Sequence, residues 1–136
     1  MILKTELFSL HDNMRYDELS EAVLQEFLVQ SVADGSSVTL ISFRPIRFHA
    51  VRFRFTLLFI SGLLKQVSLT PVQIQDDEYY KKFKDPRALN EKWLGKTYGR
   101  PGGRKPGGIV YYYKTTRVSS EYDPRSGSAE IVYQFK

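Results

Sequence analysis

The sequence contains no cysteine among its 136 residues, and it has only two histidines and one tryptophan. Without cysteine the chain has no disulfide framework, no thiolate metal site and no cysteine nucleophile. Neither His11 nor His49 has a second histidine or a carboxylate cluster at the spacing of metal ligands. The run Asp76-Asp77-Glu78 is more typical of an exposed helix start than of a cation site. We therefore expect no metal and no other cofactor.

Long apolar runs are also missing. The longest apolar stretch, residues 57–64, is interrupted by Ser61-Gly62 and is far too short to span a bilayer. The first residues lack the apolar core of a signal peptide. These two absences predict a cytoplasmic protein that makes no use of a membrane.

The composition is that of a globular domain, with 42% hydrophobic and 14% aromatic residues. A chain of this length is sufficient for one domain, so we expect residues 1–136 to form a single unit. The formal net charge of +5 is compatible with an anionic partner, but many ordinary soluble domains carry as much.

The clearest local pattern lies between Phe48 and Leu69. Val51, Phe53, Phe55, Leu57 and Phe59 occupy alternate positions, separated at first by Arg52, Arg54 and Thr56, which is the period of a strand with one buried face. Ser61-Gly62 then indicates a tight hairpin. An uninterrupted register would place Phe55 with Ser68. One extra residue at Lys65-Gln66 instead places Phe55 with Leu69, so the pattern predicts a β-bulge in the second strand.

Two helices are predicted. Apolar residues at helical spacing indicate the first over Tyr16–Gln30, which would pack against the buried face of the hairpin through Leu19, Val23, Phe27 and Leu28. The second would begin with Asp85 as N-cap and Pro86 at the first position, bury Leu89 and Trp93 on one face, and end at Gly95.

Further strands are predicted over residues 2–10, 38–43, 109–118 and 129–135, with the last two joined by a turn at Asp123–Gly127. The element order is then β-α-β-β-β-α-β-β. This order predicts an α+β fold in which an antiparallel sheet of four to six strands carries its helices on one face.

The segment from Tyr98 to Gly108 is rich in glycine, proline and basic residues. Gly95-Lys96-Thr97 matches the end of a phosphate-binding loop, but Asn90 occupies the position of the required glycine and the segment ends a helix. We expect a flexible loop at about residues 98–108. Its cations, Arg100, Arg104 and Lys105, either serve solubility or contact an acidic partner.

Three consecutive tyrosines lie on the predicted strand over residues 109–118. Counting alternate residues back from Val118 places Tyr112 on the core face and leaves Tyr111 and Tyr113 outside. If Arg52 and Arg54 share that outer face, it would present aromatic rings among guanidinium groups. Such a surface suits a protein interface or single-stranded nucleic acid, and it is also compatible with simple packing beneath a helix.

The turn and core residues Gly62, Leu64, Val67 and Leu69, together with Trp93-Leu94-Gly95-Lys96 and the segment 121–128, resemble those of small bacterial α+β proteins. Their layout is similar to the β-lactamase-inhibitor-like group, in which helices pack on one face of an antiparallel sheet. The resemblance implies this fold and favours a protein that acts by binding other proteins, but it carries no catalytic residue.

We interpret the chain as a non-catalytic protein-binding module of the inhibitor or immunity type. Its partner would be another protein or a second copy of itself. The predicted contact residues are Arg52, Arg54, Arg100, Arg104, Lys105, Tyr111 and Tyr113. One alternative is a single-stranded nucleic-acid-binding protein that uses the same surface, although the aromatic motif of ribonucleoprotein domains is absent. A second is a small enzyme whose carboxylates are brought together only in space.

Overall fold

The computed structural model describes residues 1–72 and 86–136. These residues include the one-turn helix α1 (Glu21–Leu24), the longer helix α2 (Pro86–Tyr98) and a 3-10 turn over Tyr16–Glu18. The strands are β1 (Ile2–Lys4), β2 (Ser9–His11), β3 (Phe27–Ser31), β4 (Ser37–Ser42), β5 (Ile46–Phe48), β6 (Val51–Ile60), β7 (Leu63–Pro71), β8 (Gly103–Lys105), β9 (Gly108–Tyr112), β10 (Thr116–Asp123) and β11 (Ser128–Phe135). The predicted acidic run at 76–78 and the predicted N-cap Asp85 lie outside the described residues.

Nine of the strands form one sheet in the order β3-β4-β6-β7-β11-β10-β9-β8, and β5 pairs with the beginning of β6. All of the strand pairs are antiparallel, as predicted. The prediction of four to six strands is wrong. Because β5 and β8 have only three residues each, neither shows a readable alternation of polar and apolar residues.

The β6–β7 hairpin confirms both the Ser61-Gly62 turn and the bulge. Phe55 lies opposite Leu69 and Leu57 opposite Val67, and the register shifts between Leu58 and Phe59. Lys65 is the additional residue in β7. The shift keeps the fully buried apolar side chains of both strands on one face of the sheet.

The predicted helix over Tyr16–Gln30 is wrong beyond a single turn. Helix α1 ends at Leu24, and the chain then enters β3, which pairs with β4. Phe27 is buried as predicted, but Leu28 is 45% exposed. Leu19, Val23, Phe27 and Leu28 have helical spacing, yet pairing with β4 decides the conformation because it provides hydrogen bonds that a local pattern does not reveal.

A second turn interrupts the strand predicted to begin at Phe48. His49 and Ala50 both take left-handed φ angles, 47° and 69°, and they form a two-residue hairpin between β5 and β6. The indole Nε1–H of Trp93 donates to the carbonyls of Phe48 at 3.2 Å and His49 at 3.0 Å. Helix α2 is thereby fixed to this turn.

Helix α2 buries Leu89 and Trp93 on one face, as predicted. The prediction that it ends at Gly95 is wrong, because it continues for a further turn to Tyr98. Gly99 ends it instead, with a φ of 81° and an N–H that donates to the carbonyl of Gly95 at 2.9 Å. A left-handed residue after the last turn is the usual helix terminator, and the sequence offers a glycine at both positions.

The core lies on one face of the large sheet, which we call the covered face. The N-terminal segment covers part of it, since the ring of Phe8 meets that of Phe55 at 5.5 Å and the ring of Tyr16 meets that of Phe59 at 5.4 Å. Helix α2 covers another part, with the rings of Trp93 and Phe53 at 5.2 Å. The opposite face, which we call the open face, carries neither of these elements.

Candidate protein-binding surface

The three tyrosines do not lie where the strand alternation predicts. The predicted strand over 109–118 is two strands, β9 and β10, joined by a turn at residues 113–115 that reverses the direction of the chain. Tyr111 therefore lies opposite Val118 on the covered face and is only 3% exposed, whereas Tyr112 lies on the open face and is 65% exposed. The predicted positions of these two side chains are both wrong.

Tyr111 and Tyr113 belong to an aromatic cluster at the end of α2. Both rings contact Tyr98, at 5.8 and 5.9 Å, and the hydroxyl of Tyr111 donates to the carbonyl of Gly99. The hydroxyls of Tyr98 and Tyr133 are 2.8 Å apart. Burial raises the pKa of Tyr98 to about 12 and the pKa of Tyr133 well above its usual value. This cluster is hydrogen-bonded packing, which is the simplest of the three interpretations of the tyrosines.

The predicted loop over residues 98–108 contains strand β8, so an irregular connection is wrong for Gly103–Lys105. Lys105 lies opposite Gly108 and pairs with the carboxylate of Glu121 on the open face. Arg104 lies opposite Ile109, on the side of helix α2, and it lines a depression with Arg87 and Glu91. Arg100 is exposed in the segment between α2 and β8. The loop cations therefore do not share one surface.

The middle of the open face is made of small side chains. The strand registers place Ser68, Val132, Ser119 and Val110 in one row across β7, β11, β10 and β9. Each of them is less than 9% exposed although neither α2 nor the N-terminal segment covers this face. We call this row the small-residue floor of the open face; rows of polar residues lie on either side of it.

One neighbouring row is acidic. Glu121 on β10 lies directly opposite Glu130 on β11, and like charges in this arrangement repel one another. Burial and then the charge of Glu121 raise the pKa of Glu130. Glu121 is partly compensated by Lys105 and by the hydroxyl of Ser119, which donates to it at 2.9 Å. With Asp123 nearby, these carboxylates line an open depression of about 360 Å³.

The other end of the open face is cationic. Arg47 on β5 lies directly opposite Arg52 on β6, and Arg54 follows two residues later on the same side. Arg54 is exposed and pairs in register with Thr70. Arg54 on β6 and Glu130 on β11 are separated by one strand, β7, so the positive and negative groups lie two strands apart. The open face therefore presents a cationic end beside an acidic depression.

The structure places Arg52 and Arg54 together at one end of the open face and Lys105 on the same face at the far end of the sheet, on β8. Arg104, Tyr111 and Tyr113 lie on the side of helix α2. It also adds residues that the sequence analysis missed, namely Tyr112, Glu121 and Glu130. A signal for the acidic pair was present, because the turn at Asp123–Gly127 sets the register that places Glu121 opposite Glu130.

Within residues 1–72 and 86–136, no three or more histidine and carboxylate side chains are grouped so that they could hold a metal ion. In the same part of the chain, no helix has the length and apolar character needed to cross a membrane. The chemical character of the open face is therefore that of arginine, carboxylate and amide side chains around a small-residue floor.

Comparison with known proteins gives similarity at the level of the fold. No protein-family model matches the sequence, and no curated protein matches it either. Among solved structures, the chain is similar to a chain of "Rhs1-CT in complex with cognate immunity protein RhsI1". The TM-score is 0.56 at 13% sequence identity, and the alignment covers 99% of this chain and 82% of the other. At this identity the similarity concerns the fold alone.

Proposed function

We propose that this chain is a non-catalytic protein-binding module of the inhibitor or immunity type, and that it contacts its partner through the open face. The observation that carries the proposal is the fold similarity over nearly the whole chain to a member of a complex that contains an immunity protein. The resemblance of turn and core residues to the β-lactamase-inhibitor-like group favours the same kind of activity.

The charges of the open face favour a protein partner over single-stranded nucleic acid. Phosphates require an uninterrupted positive surface, and here Glu121, Glu130 and Asp123 lie in the same depression. Bases also require an aromatic platform. With Tyr111 buried and Tyr113 packed on Tyr98, only Tyr112 of the three tyrosines is turned to the open face. Adjacent patches of opposite charge are typical of surfaces that orient a protein partner.

The enzyme alternative would use the pair of glutamates on the open face. A carboxyl group with a raised pKa next to a second carboxylate can act as a general acid. Glu130 and Glu121 have this relation. Nothing in the depression identifies a substrate, so we propose that the pair contributes to the shape and charge of a binding surface.

The test uses the product of the neighbouring gene as the candidate partner. We expect purified protein to form a stoichiometric complex with it in isothermal titration calorimetry, and co-expression to protect cells if that product is toxic. Arg54→Glu should weaken the complex by about tenfold or more, since it places a negative charge on the cationic end of the open face. Lys4→Glu is the matched control, because it makes the same change of charge at an exposed residue of β1, in the N-terminal segment that lies on the covered face.

The same preparation separates the alternatives. Fluorescence anisotropy with a labelled oligothymidine, measured at two salt concentrations, should show no specific binding. Tight binding that weakens steeply as salt rises would favour the nucleic-acid alternative and contradict the proposal. Turnover of the partner or of a small substrate that Glu130→Gln abolishes would favour the enzyme.

A further inference from the structure

Among the described strands, β3 ends the large sheet. It contains five residues, Phe27 to Ser31, and none of them is charged. Leu28 and Val29 are 45% and 44% exposed, and the neighbouring Val32 is 47% exposed. Among the described strands, none pairs with the outer side of β3. An exposed apolar end strand without charge or proline is a template for another strand.

The register shows which backbone groups of β3 are free. The N–H of Val32 donates to Ser37 and the N–H of Phe43 donates to Glu26, so even-numbered residues of this segment are bonded to β4. In an antiparallel pair the intervening residues direct their N–H and C=O groups the other way. Phe27, Val29 and Ser31 therefore present three donors and three acceptors to the outer side, where no described residue bonds to them.

The opposite end of the sheet is different. Strand β8 has three residues, it contains Arg104 and Lys105, and it lies between Pro101 and Pro106. Shortness, positive charge and flanking proline are the usual features that prevent strand pairing at an edge. Within the described residues, the features that prevent pairing are thus present at the β8 end of the sheet and absent at the β3 end.

We propose that β3 pairs with β3 of a second copy of this chain, antiparallel, about a two-fold axis at Val29. The free groups are on residues 27, 29 and 31, which are arranged symmetrically about Val29. Two identical strands in this register would satisfy all of these groups, with Val29 opposite Val29 and Phe27 opposite Ser31. Because the strand carries no charge, the self-paired register brings no like charges together. An identical copy is the one partner whose complementarity this symmetry guarantees.

The size of the contact predicts a reversible dimer. A pair of five-residue strands buries less than the roughly 1,200 Å² of a standard stable interface. We therefore expect a monomer–dimer equilibrium with a Kd on the order of 10–100 µM. Analytical ultracentrifugation over a concentration series spanning that range should detect both species. A single monomeric species at every concentration would overturn the proposal.

Two variants test the strand itself. In Val29→Pro the lost N–H is one that β4 does not use, so the variant should fold, as checked by circular dichroism, and its dimer association constant should fall by about tenfold or more. Val29→Lys should do the same by placing two positive charges opposite each other. Ser9→Lys is the control, because Ser9 is an exposed residue of the separate β1–β2 pair. A dimer that survives both Val29 changes contradicts the assignment.

Hydrogen exchange provides a readout that only strand pairing would produce. The amides of Phe27, Val29 and Ser31 should become protected as the protein concentration rises, whereas those of Leu28 and Gln30 should be protected at all concentrations. Equal protection of odd and even residues, or protection elsewhere on the surface, would show that any dimer forms by another route. Partner binding in the calorimetric experiment does not depend on this result, so the two proposals can fail separately.

Discussion

The two faces of the large sheet bury side chains of different size and polarity. The covered face carries the large apolar side chains of β6, and Phe53, Phe55 and Phe59 are at most 1% exposed beneath the N-terminal segment and α2. The open face buries only small side chains, such as Ser68, Val132 and Ser119, among charged ones. The free energy of unfolding therefore depends mainly on one face. The other face can change its charges without affecting the fold.

The largest effect that would test this comparison is expected for Phe55→Ala. Phe55 is fully buried and its ring meets those of Phe8 and Phe48 at 5.5 and 6.0 Å. Removing the ring should lower the free energy of unfolding by about 3–5 kcal/mol, from lost burial and the cavity left behind. Urea denaturation followed by tryptophan fluorescence would measure it. A loss below about 1 kcal/mol would mean that this face is not the main source of stability.

A gain in stability is expected on the covered face at Asn90. Its side chain on α2 is fully buried, and neither Oδ1 nor Nδ2 has a hydrogen-bond partner among residues 1–72 and 86–136. Asn90→Leu should raise the free energy of unfolding by about 1–2 kcal/mol, because an unpaired buried amide is costly and leucine favours the helix. Asn90→Ala separates the causes, since it removes the amide but leaves a cavity. If both variants have a lower free energy of unfolding than the unchanged protein, the side-chain amide of Asn90 stabilises the fold and the prediction is wrong.

On the open face, Glu130→Gln should change how stability depends on pH. Burial and the charge of Glu121 raise the pKa of Glu130, so the folded protein binds this proton more tightly than the unfolded chain does. Its contribution to stability is present at low pH and is lost as pH rises through the folded pKa. Glu130→Gln should therefore be more stable than the unchanged protein at neutral pH, and the difference should vanish below the ordinary value of 4.5.

Thermal unfolding measured across this pH range would test the effect. Glu121→Gln removes the same repulsion but also the ion pair with Lys105, so its gain at neutral pH should be smaller. An equal or larger gain for Glu121→Gln would mean that the ion pair contributes nothing.

The smallest effect on stability is expected for Arg54→Ala, one residue away from Phe55. Arg54 is exposed on the open face, and its removal should change the free energy of unfolding by no more than about 0.5 kcal/mol. The same change should weaken the partner complex, which would separate recognition from stability on adjacent residues. Denaturation and calorimetry on one preparation measure both. A large loss of stability would show that the faces are not independent.

Sequence patterns predicted the elements that depend on their immediate neighbours. The Ser61-Gly62 turn and the bulge at Lys65 were predictable because residues 51–57 and 67–70 alternate between apolar and polar, and only one register keeps Phe55 and Leu69 on the same face. Leu89 and Trp93 were predictable for the equivalent reason in a helix. In each case the partners are close in the sequence.

The failures occurred where helical spacing competes with strand pairing or where a turn has no marker residue. The turn at residues 113–115 contains neither glycine nor proline, so nothing in the sequence marks it. The strand was therefore predicted to continue from Val118 back to Ile109, and this assigned the tyrosines to the wrong faces. Phe27 and Leu28 fitted a helix because nothing local reveals their pairing with β4. The predicted contact surface therefore included Tyr111 and Tyr113, which lie on the side of helix α2, and it omitted Glu121 and Glu130.

The central position of β11 has a consequence for how the chain is made. Strand β7 pairs with β6 on one side and with β11 on the other, and Leu69 and Ile131 are partners although roughly 60 residues separate them in the sequence. During translation β7 therefore leaves the ribosome before its second partner exists. Its β11 side stays unpaired until residues 128–135 have been synthesised. A chain that ended before β11 would lack the strand that joins β7 to β10, so its sheet would be divided into two parts.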